Sequence, residues 1–291
     1  MRITSYDKYN LSQNRLSQLQ QYSNELQVQI TTGKAFQKIS QSPVQANVSL
    51  LVDSGIKQID QYSSNLQDLQ GYVQTAESYL ATGVEDFQRG LELATKASSG
   101  TYNADDRKSF ELEVENLIEH MVGLGNSKYL GKYLFSGQSN TTQAFSYDGN
   151  SVTYNGSDNV NSIRISSSMD LKTSVTAKDA FQGTIESLIS LRDAIKTGDS
   201  STISSAMDGL EKSGETLINY QSEMGVRMNT VKLVGDAYDK NKLELETRKS
   251  KAEDIDMSEA ITKFMTAQQL YQGSVSATLK MYQSSLLNFM N

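Results

Sequence analysis

The sequence predicts a mainly α-helical chain with a small inserted β domain, in which long helices from both termini form an antiparallel bundle or coiled coil. Three observations carry that expectation. Near both ends, apolar residues recur at alternating three- and four-residue steps, the spacing of a helical seam. Pro43 is the only proline in 291 residues, so little interrupts a helix. Only between about Gln138 and Thr176 does the pattern switch to the two-residue alternation of strands.

The first helix, Tyr9 to Thr32, carries Leu16, Leu19, Leu26 and Ile30 in heptad spacing, with Ser23 the polar member of the row. Glutamines crowd its flanks. Gly33 is expected to cap its C-terminus. The stretch GKAFQKISQSP, Gly33 to Pro43, reads as an interdomain joint. In it Phe36 and Ile39 offer apolar anchors, Ser42 an N-cap, Pro43 a first helical residue, and Gln45 the far half of a capping box. A second helix, about Pro43 to Ser98, carries Leu66, Leu69, Val73, Ala76, Leu80, Val84, Phe87, Leu91 and Ala94. The step from Leu80 to Val84 is a four where a three was due, the mark of a stutter. A third helix follows SSGTYNADD, with Asp105 and Asp106 at its positive end. Its apolar residues are Phe110, Val114, Leu117, Met121 and Leu124.

In the middle, FSYDGNSVTY places two alternating flanks around Asp148-Gly149, a hairpin signal, and SIRIS alternates again. A short helix, about Ala180 to Thr197, carries Phe181, Ile185, Leu188 and Ile195. Next, Ile203, Leu210, Leu217, Met224, Val231, Tyr238 and Leu245 recur every seven residues. The companion row is weak (Met207, Gly214, Gln221, Met228, Gly235, Lys242), and its glycines predict close approach of a partner helix. Asp256 and Glu259 cap a last helix bearing Met257, Ile261, Phe264, Tyr271, Val275, Leu279, Tyr282, Leu286 and Phe289. The expected division is a terminal coiled-coil domain (1–42 with 252–291), a helical bundle (43–137 with 177–251) and an outer β domain (138–176).

Composition excludes several classes. A net charge of −7 without any basic run argues against a nucleic-acid surface. The absence of cysteine removes disulfides, thiolate metal sites and cysteine nucleophiles. No apolar stretch approaches the roughly 18 residues of a membrane span, so membrane insertion is not expected. MRITSYDKYNLSQ lacks the apolar core of a cleaved signal. His120, the single histidine, reads as a seam or surface residue, and no phosphate loop, dinucleotide motif or EF-hand spacing is present. The reading is therefore no enzyme, no metal and no cofactor. The terminal stripes are narrow and polar-flanked, which suits neighbours supplied by other subunits; the core of a monomeric bundle is the alternative.

MRIT and ITTGKAFQKISQSPVQAN near the start, GKYLFSG at 131–137, GVRMN at 225–229 and the ending AEDIDMSEAITKFMTAQQLYQGSVSATLKMYQSSLLNFMN together resemble the flagellar hook-associated protein 3 family. The fold is then flagellin-like. Gln41-Ser42 departs from the acidic pair that the family often carries before its proline. The resemblance implies a structural subunit of the bacterial flagellum, forming a layer between hook and filament and exported through the type III channel without a cleaved signal. Its implied partners are further copies of itself, the first hook-associated protein, flagellin and a cytosolic export chaperone; its implied place is extracellular. The assembly interface would use Leu16, Leu19, Leu26, Ile30, Ile261, Phe264, Tyr271, Val275, Leu279, Tyr282, Leu286 and Phe289. A short flagellin and a cytosolic coiled-coil adaptor stay open as alternatives.

Overall fold

The computed structural model describes the backbone over residues 2–99 and 102–290, and side chains at 7, 9–99 and 102–280. Six α-helices carry most of the chain: α1 (Arg2–Thr32), α2 (Pro43–Ser98), α3 (Ala104–Gly125), α4 (Gly183–Thr197), α5 (Ser200–Glu253) and α6 (Met257–Met290). Three antiparallel hairpins lie between α3 and α4: β1–β2 (Lys128–Tyr129, Lys132–Tyr133), β3–β4 (Phe145–Tyr147, Val152–Tyr154) and β5–β6 (Ser162–Arg164, Asp170–Lys172). The chain divides into two compact units, Met1–Lys57 with Asn241–Asn291 and Gln58–Lys240.

In the Gln58–Lys240 unit, α2 and α5 run antiparallel. The register is read from Gln221, which donates to Glu77, from Gly214 beneath the Phe87 ring, and from Gly90 against Leu210. The inward row of α2 is Leu66, Leu69, Val73, Ala76, Leu80, Gly83, Phe87, Gly90, Ala94 and Ala97, all buried. Its steps stay three, four, three, four to the end, so the expected stutter is absent. Val84 and Leu91 are only half-buried, and glycines hold the seam positions beside them. The pattern was hidden because a glycine adds no hydrophobicity. A Cβ on Gly90 would stand 2.8 Å from Leu188 Cδ2 and 3.2 Å from Leu210 Cδ2, and one on Gly83 would stand 3.0 Å from Phe181. These glycines are where α4 and α5 come close to α2.

The heptad row of α5 is buried at Ile203, Leu210, Leu217, Met224 and Val231. Close approach holds at Gly214, where a Cβ would overlap the Phe87 ring, but nothing lies within 4 Å of a Cβ at Gly235. There the α2–α5 seam opens into a groove. Capping of α3 falls to Asn103: its Oδ1 accepts from Asp106 N at 2.9 Å while Asp106 Oδ2 accepts from Asn103 N at 3.1 Å.

The strand-forming region is three separate ladders rather than one sheet, and it begins at Lys128, ahead of the expected 138. It falls in the same compact unit as the helices because its apolar residues belong to their core: Phe135, Phe145 and Ile165 are fully buried there. Phe135 meets Phe181 edge to face at 5.2 Å. Gly137 (φ 64°) is required in its turn, since a Cβ would stand 2.6 Å from the Asn159 oxygen. Arg192 on α4 pins the β3–β4 hairpin. Its guanidinium donates to Glu115 Oε2 of α3 at 2.7 Å, to the Tyr147 hydroxyl at 2.9 Å and to the Gly149 carbonyl at 2.6 Å. Burial and the adjacent Glu115 push the Tyr147 hydroxyl up to about 12. Arg227, within GVRMN, donates to the Ser174 carbonyl at 2.8 Å and so ties the return from β6 to α5.

Two stability outcomes are expected from urea melts. Gly214→Ala forces a methyl against Phe87 and should destabilise by about 1–3 kcal/mol, whereas Gly209→Ala, which meets nothing within 4 Å, should stabilise by roughly 0.5–1 kcal/mol. Arg192→Ala should lose about 3 kcal/mol by stranding a partly buried Glu115, while the Arg192→Met/Glu115→Leu pair should lose much less.

Candidate assembly site: the terminal helices and their joint

In the Met1–Lys57 and Asn241–Asn291 unit, α1 and α6 pack antiparallel as a two-helix layer. The α1 face toward α6 is the expected row: Leu26 and Ser23 are buried, and Leu16, Leu19 and Ile30 are half-buried. On α6 the inward positions are Ala260, Phe264, Ala267 and Tyr271, followed by Ser274, Val275 and Thr278. Ala260 and Ala267, buried in this row, escaped sequence reading because alanine is a weak hydrophobic signal. Of the expected interface residues, Phe264, Tyr271 and Val275 thus point into the pair. Ile261 and Leu279 are exposed, the latter 59%, and share the outer surface of α6 with Met257 and Met265; Leu270 is exposed on the opposite flank. Side chains of Tyr282, Leu286 and Phe289 lie outside the described residues. Leu19, Tyr22, Thr266, Ala267 and Leu270 line a shallow apolar groove of about 200 Å³ along the pair.

The joint is a hydrogen-bonded crossing of two chain segments. Gly33 (φ 70°) ends α1, its N–H donating to Gln29 O at 2.7 Å. Lys34 then pairs antiparallel with Asp254: Ala35 N donates to Glu253 O at 2.6 Å and Ile255 N to Gly33 O at 3.1 Å. Ion pairs reinforce the crossing. Lys34 Nζ lies 2.8 Å from Glu253 Oε2 and 2.7 Å from Asp254 Oδ1. The Ser49 hydroxyl donates to the other Glu253 oxygen, and Lys249 pairs with Asp53. No spacing rule links Lys34 to Glu253, 219 residues apart, so this cluster was invisible to sequence reading.

Phe36 is half-buried at the joint, in a cleft with Val28 and Gln29. Ile39 is 63% exposed on the 3-10 turn Ile39–Gln41, not buried as an anchor. Ser42 precedes Pro43 as expected, but its hydroxyl donates to the Gln45 side-chain oxygen. The reciprocal backbone capping appears one turn earlier, where Gln41 Oε1 accepts from Gln37 N at 2.8 Å and Lys38 N at 3.0 Å. The first turns of α2 and last turns of α5 belong to this unit because Ser49, Asp53 and Lys249 tie them to the crossing.

Lys34 holds the Glu253 and Asp254 carboxyls below their ordinary range, and those carboxylates in turn raise Lys34. A carboxyl lowered on folding contributes stability above its unfolded pKa, and that contribution is lost as pH falls through the folded value. A lysine raised on folding contributes below its unfolded pKa and loses it as pH rises through the folded value. The crossing is therefore firm near neutrality and loosens in acid. Amide exchange at residues 33–35 and 253–255 should quicken, relative to the core of α5, between pH 6 and pH 3 after correction for intrinsic rates. Lys34→Met should be fast already at pH 6.

Elsewhere the structure offers little chemistry. His120 Nδ1 lies 2.7 Å from Asp86 Oδ2, a side-chain pair between α3 and α2. Among the described residues no cluster of His, Cys, Asp and Glu could hold a metal ion, and no helix is long and apolar enough to cross a membrane.

Two family models match the chain: the bacterial flagellin N-terminal helical region over residues 3–140 and the bacterial flagellin C-terminal helical region over residues 207–290. Flagellin FlaB1 of Treponema pallidum is 28% identical over 61% of this chain and 62% of its own length, so that match spans less than two thirds of the relative. Flagellar hook-associated protein 3 of Escherichia coli K12 is 23% identical over 89% of this chain and 90% of its own length. In fold, the crystal structure of Bacillus cereus FlgL superposes with a TM-score of 0.62 at 20% identity, covering 69% of this chain and 99% of that one. The two family models bracket the β3–β4 and β5–β6 hairpins and contain both terminal helices, the joint and most of the α2–α5 seam, and on that footing the chain belongs to the bacterial flagellin family as a structural flagellar component.

Proposed function

We propose that this chain forms the junction layer between flagellar hook and filament, assembling through the terminal helices after export from the cytoplasm. The observation that carries the reading is the outer surface of α6. Met257, Ile261, Met265 and Leu279 are exposed on a layer only two helices thick, where a monomer gains nothing from them. Neighbouring subunits that cover this face would convert it into buried area at about 25 cal/mol per Å². The near full-length match to a hook-associated protein 3 supports the junction over the filament.

On this reading the partners are further copies in the same layer, the first hook-associated protein on the hook side, flagellin on the filament side, and an export chaperone in the cytosol. The finished subunit is extracellular and does no catalysis. A short flagellin is the second reading, favoured by the match to FlaB1.

Purified chain added to hooks that already carry the first hook-associated protein should bind their ends, stop after a short layer, and permit flagellin to extend them. Filaments of indefinite length grown from this chain alone would instead make it a flagellin. Met265→Asp and Leu279→Asp should each block addition to hook ends while leaving the thermal unfolding of the Gln58–Lys240 unit unchanged. Addition at the normal rate by both variants would remove α6 from the interface.

A further inference from the structure

The turn joining β1 to β2 holds a mostly exposed leucine in a strained conformation. Leu130 sits at φ 49°, the one non-glycine residue with positive φ among those described, followed by Gly131 at φ 79°. A two-residue hairpin with both φ values positive favours Asn-Gly or Asp-Gly, and a leucine there is strained by about 1 kcal/mol. The same leucine is 77% exposed. Exposed lysines flank it: Lys128, whose Nζ lies 4.5 Å over the Tyr133 ring, and Lys132. Neither lysine makes an ion pair among the described residues. The hairpin base is fixed, with the Tyr129 ring 4.8 Å from Tyr72 edge to face and packed against Gly71 of α2. The result is a rigid apolar tip between two positive charges.

The same unit carries a surface of opposite character. Where the α2–α5 seam opens at Gly235, a groove of about 510 Å³ has a mixed lining, Leu66 and Gln67 of α2 with Met228 and Val231 of α5, and Asp236 and Asp239 on its α5 side. Asp236 and Asp239 are exposed and form no ion pair among the described residues; Lys232 on the same side leaves that rim net acidic. We propose that the Leu130 tip of one copy docks in the Gly235 groove of a second copy, with Lys128 and Lys132 facing Asp236 and Asp239. The leucine meets the apolar atoms of Met228 and Val231 in a mixed floor, and each lysine gains a carboxylate. The contact deepens the assembly reading, which it needs only for its biological setting, because docking itself is measurable on the purified chain.

The natural absence of cysteine makes the test direct. Two single-cysteine proteins, Leu130→Cys and Gln67→Cys, are mixed at high concentration under a mild oxidant, and heterodimers are separated by mass tag. Several-fold more heterodimer is expected than from Leu130→Cys with Ser204→Cys, an exposed site on another stretch of α5. Adding Lys128→Glu and Lys132→Glu to the Leu130→Cys protein should abolish the excess, and Asp236→Lys with Asp239→Lys on the Gln67→Cys partner should restore it. Equal yields at Gln67 and Ser204, or an excess indifferent to the charge swap, would overturn the proposal even if the chain extends hooks normally. All substituted positions are exposed, and matching unfolding curves identify folded variants.

Discussion

Close antiparallel approach of α2 and α5 is the constraint on which the Gln58–Lys240 unit depends. Gly83, Gly90 and Gly214 line that approach, and each lies under a bulky side chain from a facing helix. The glycines bring Phe181 and Leu188 from the α4 region onto α2, and Phe181 in turn receives Phe135 from the start of the hairpin region. The hairpins therefore hang on a helical seam that small residues made thin. A helix interior glycine is unfavourable by about 1 kcal/mol relative to alanine, so three of them persist only because the packing they permit returns more.

Local punctuation made much of the fold legible. Pro43, Gly33 and the Asp105-Asp106 pair mark helix ends through chemistry confined to a few residues, and the observed bounds of α2 agree with those expected. The heptad row of α5 was equally plain, because its members are large. What escaped was small or distant. Gly83 and Gly90 broke the apparent periodicity of α2 and produced a false stutter, and Ala260 and Ala267 were passed over on α6. Lys34, Ser49, Glu253 and Asp254 meet across most of the chain, and charge alone does not reveal which of many lysines has a fixed partner.

The terminal unit obeys a different balance. Its helix pair presents one narrow stripe on each side, with alanine and serine among the buried positions. Such a seam keeps the helices close but removes little apolar surface from water, so packing alone leaves the pair weak. The crossing at Lys34 compensates by joining the end of α1 to the connection between α5 and α6 through backbone hydrogen bonds and two ion pairs. Partly exposed ion pairs are individually worth little. Their value here is geometric, since they fix two chain segments that backbone bonds have already brought into register.

Thin seams and firm crossings together explain why apolar residues are left outside. A terminal pair with a broad stripe would bury its own hydrophobic side chains and have none for a neighbour. Here α6 divides its apolar residues between Phe264 and Tyr271, turned toward α1, and Ile261, Met265 and Leu279, turned away. The first group is half-buried against α1, and the crossing adds its hydrogen bonds and ion pairs to that contact. The second gains nothing until another surface arrives. Division of one helix into a self-directed and an outward-directed face leaves apolar area that lowers the free energy only when another surface covers it, which is what the proposed assembly would supply.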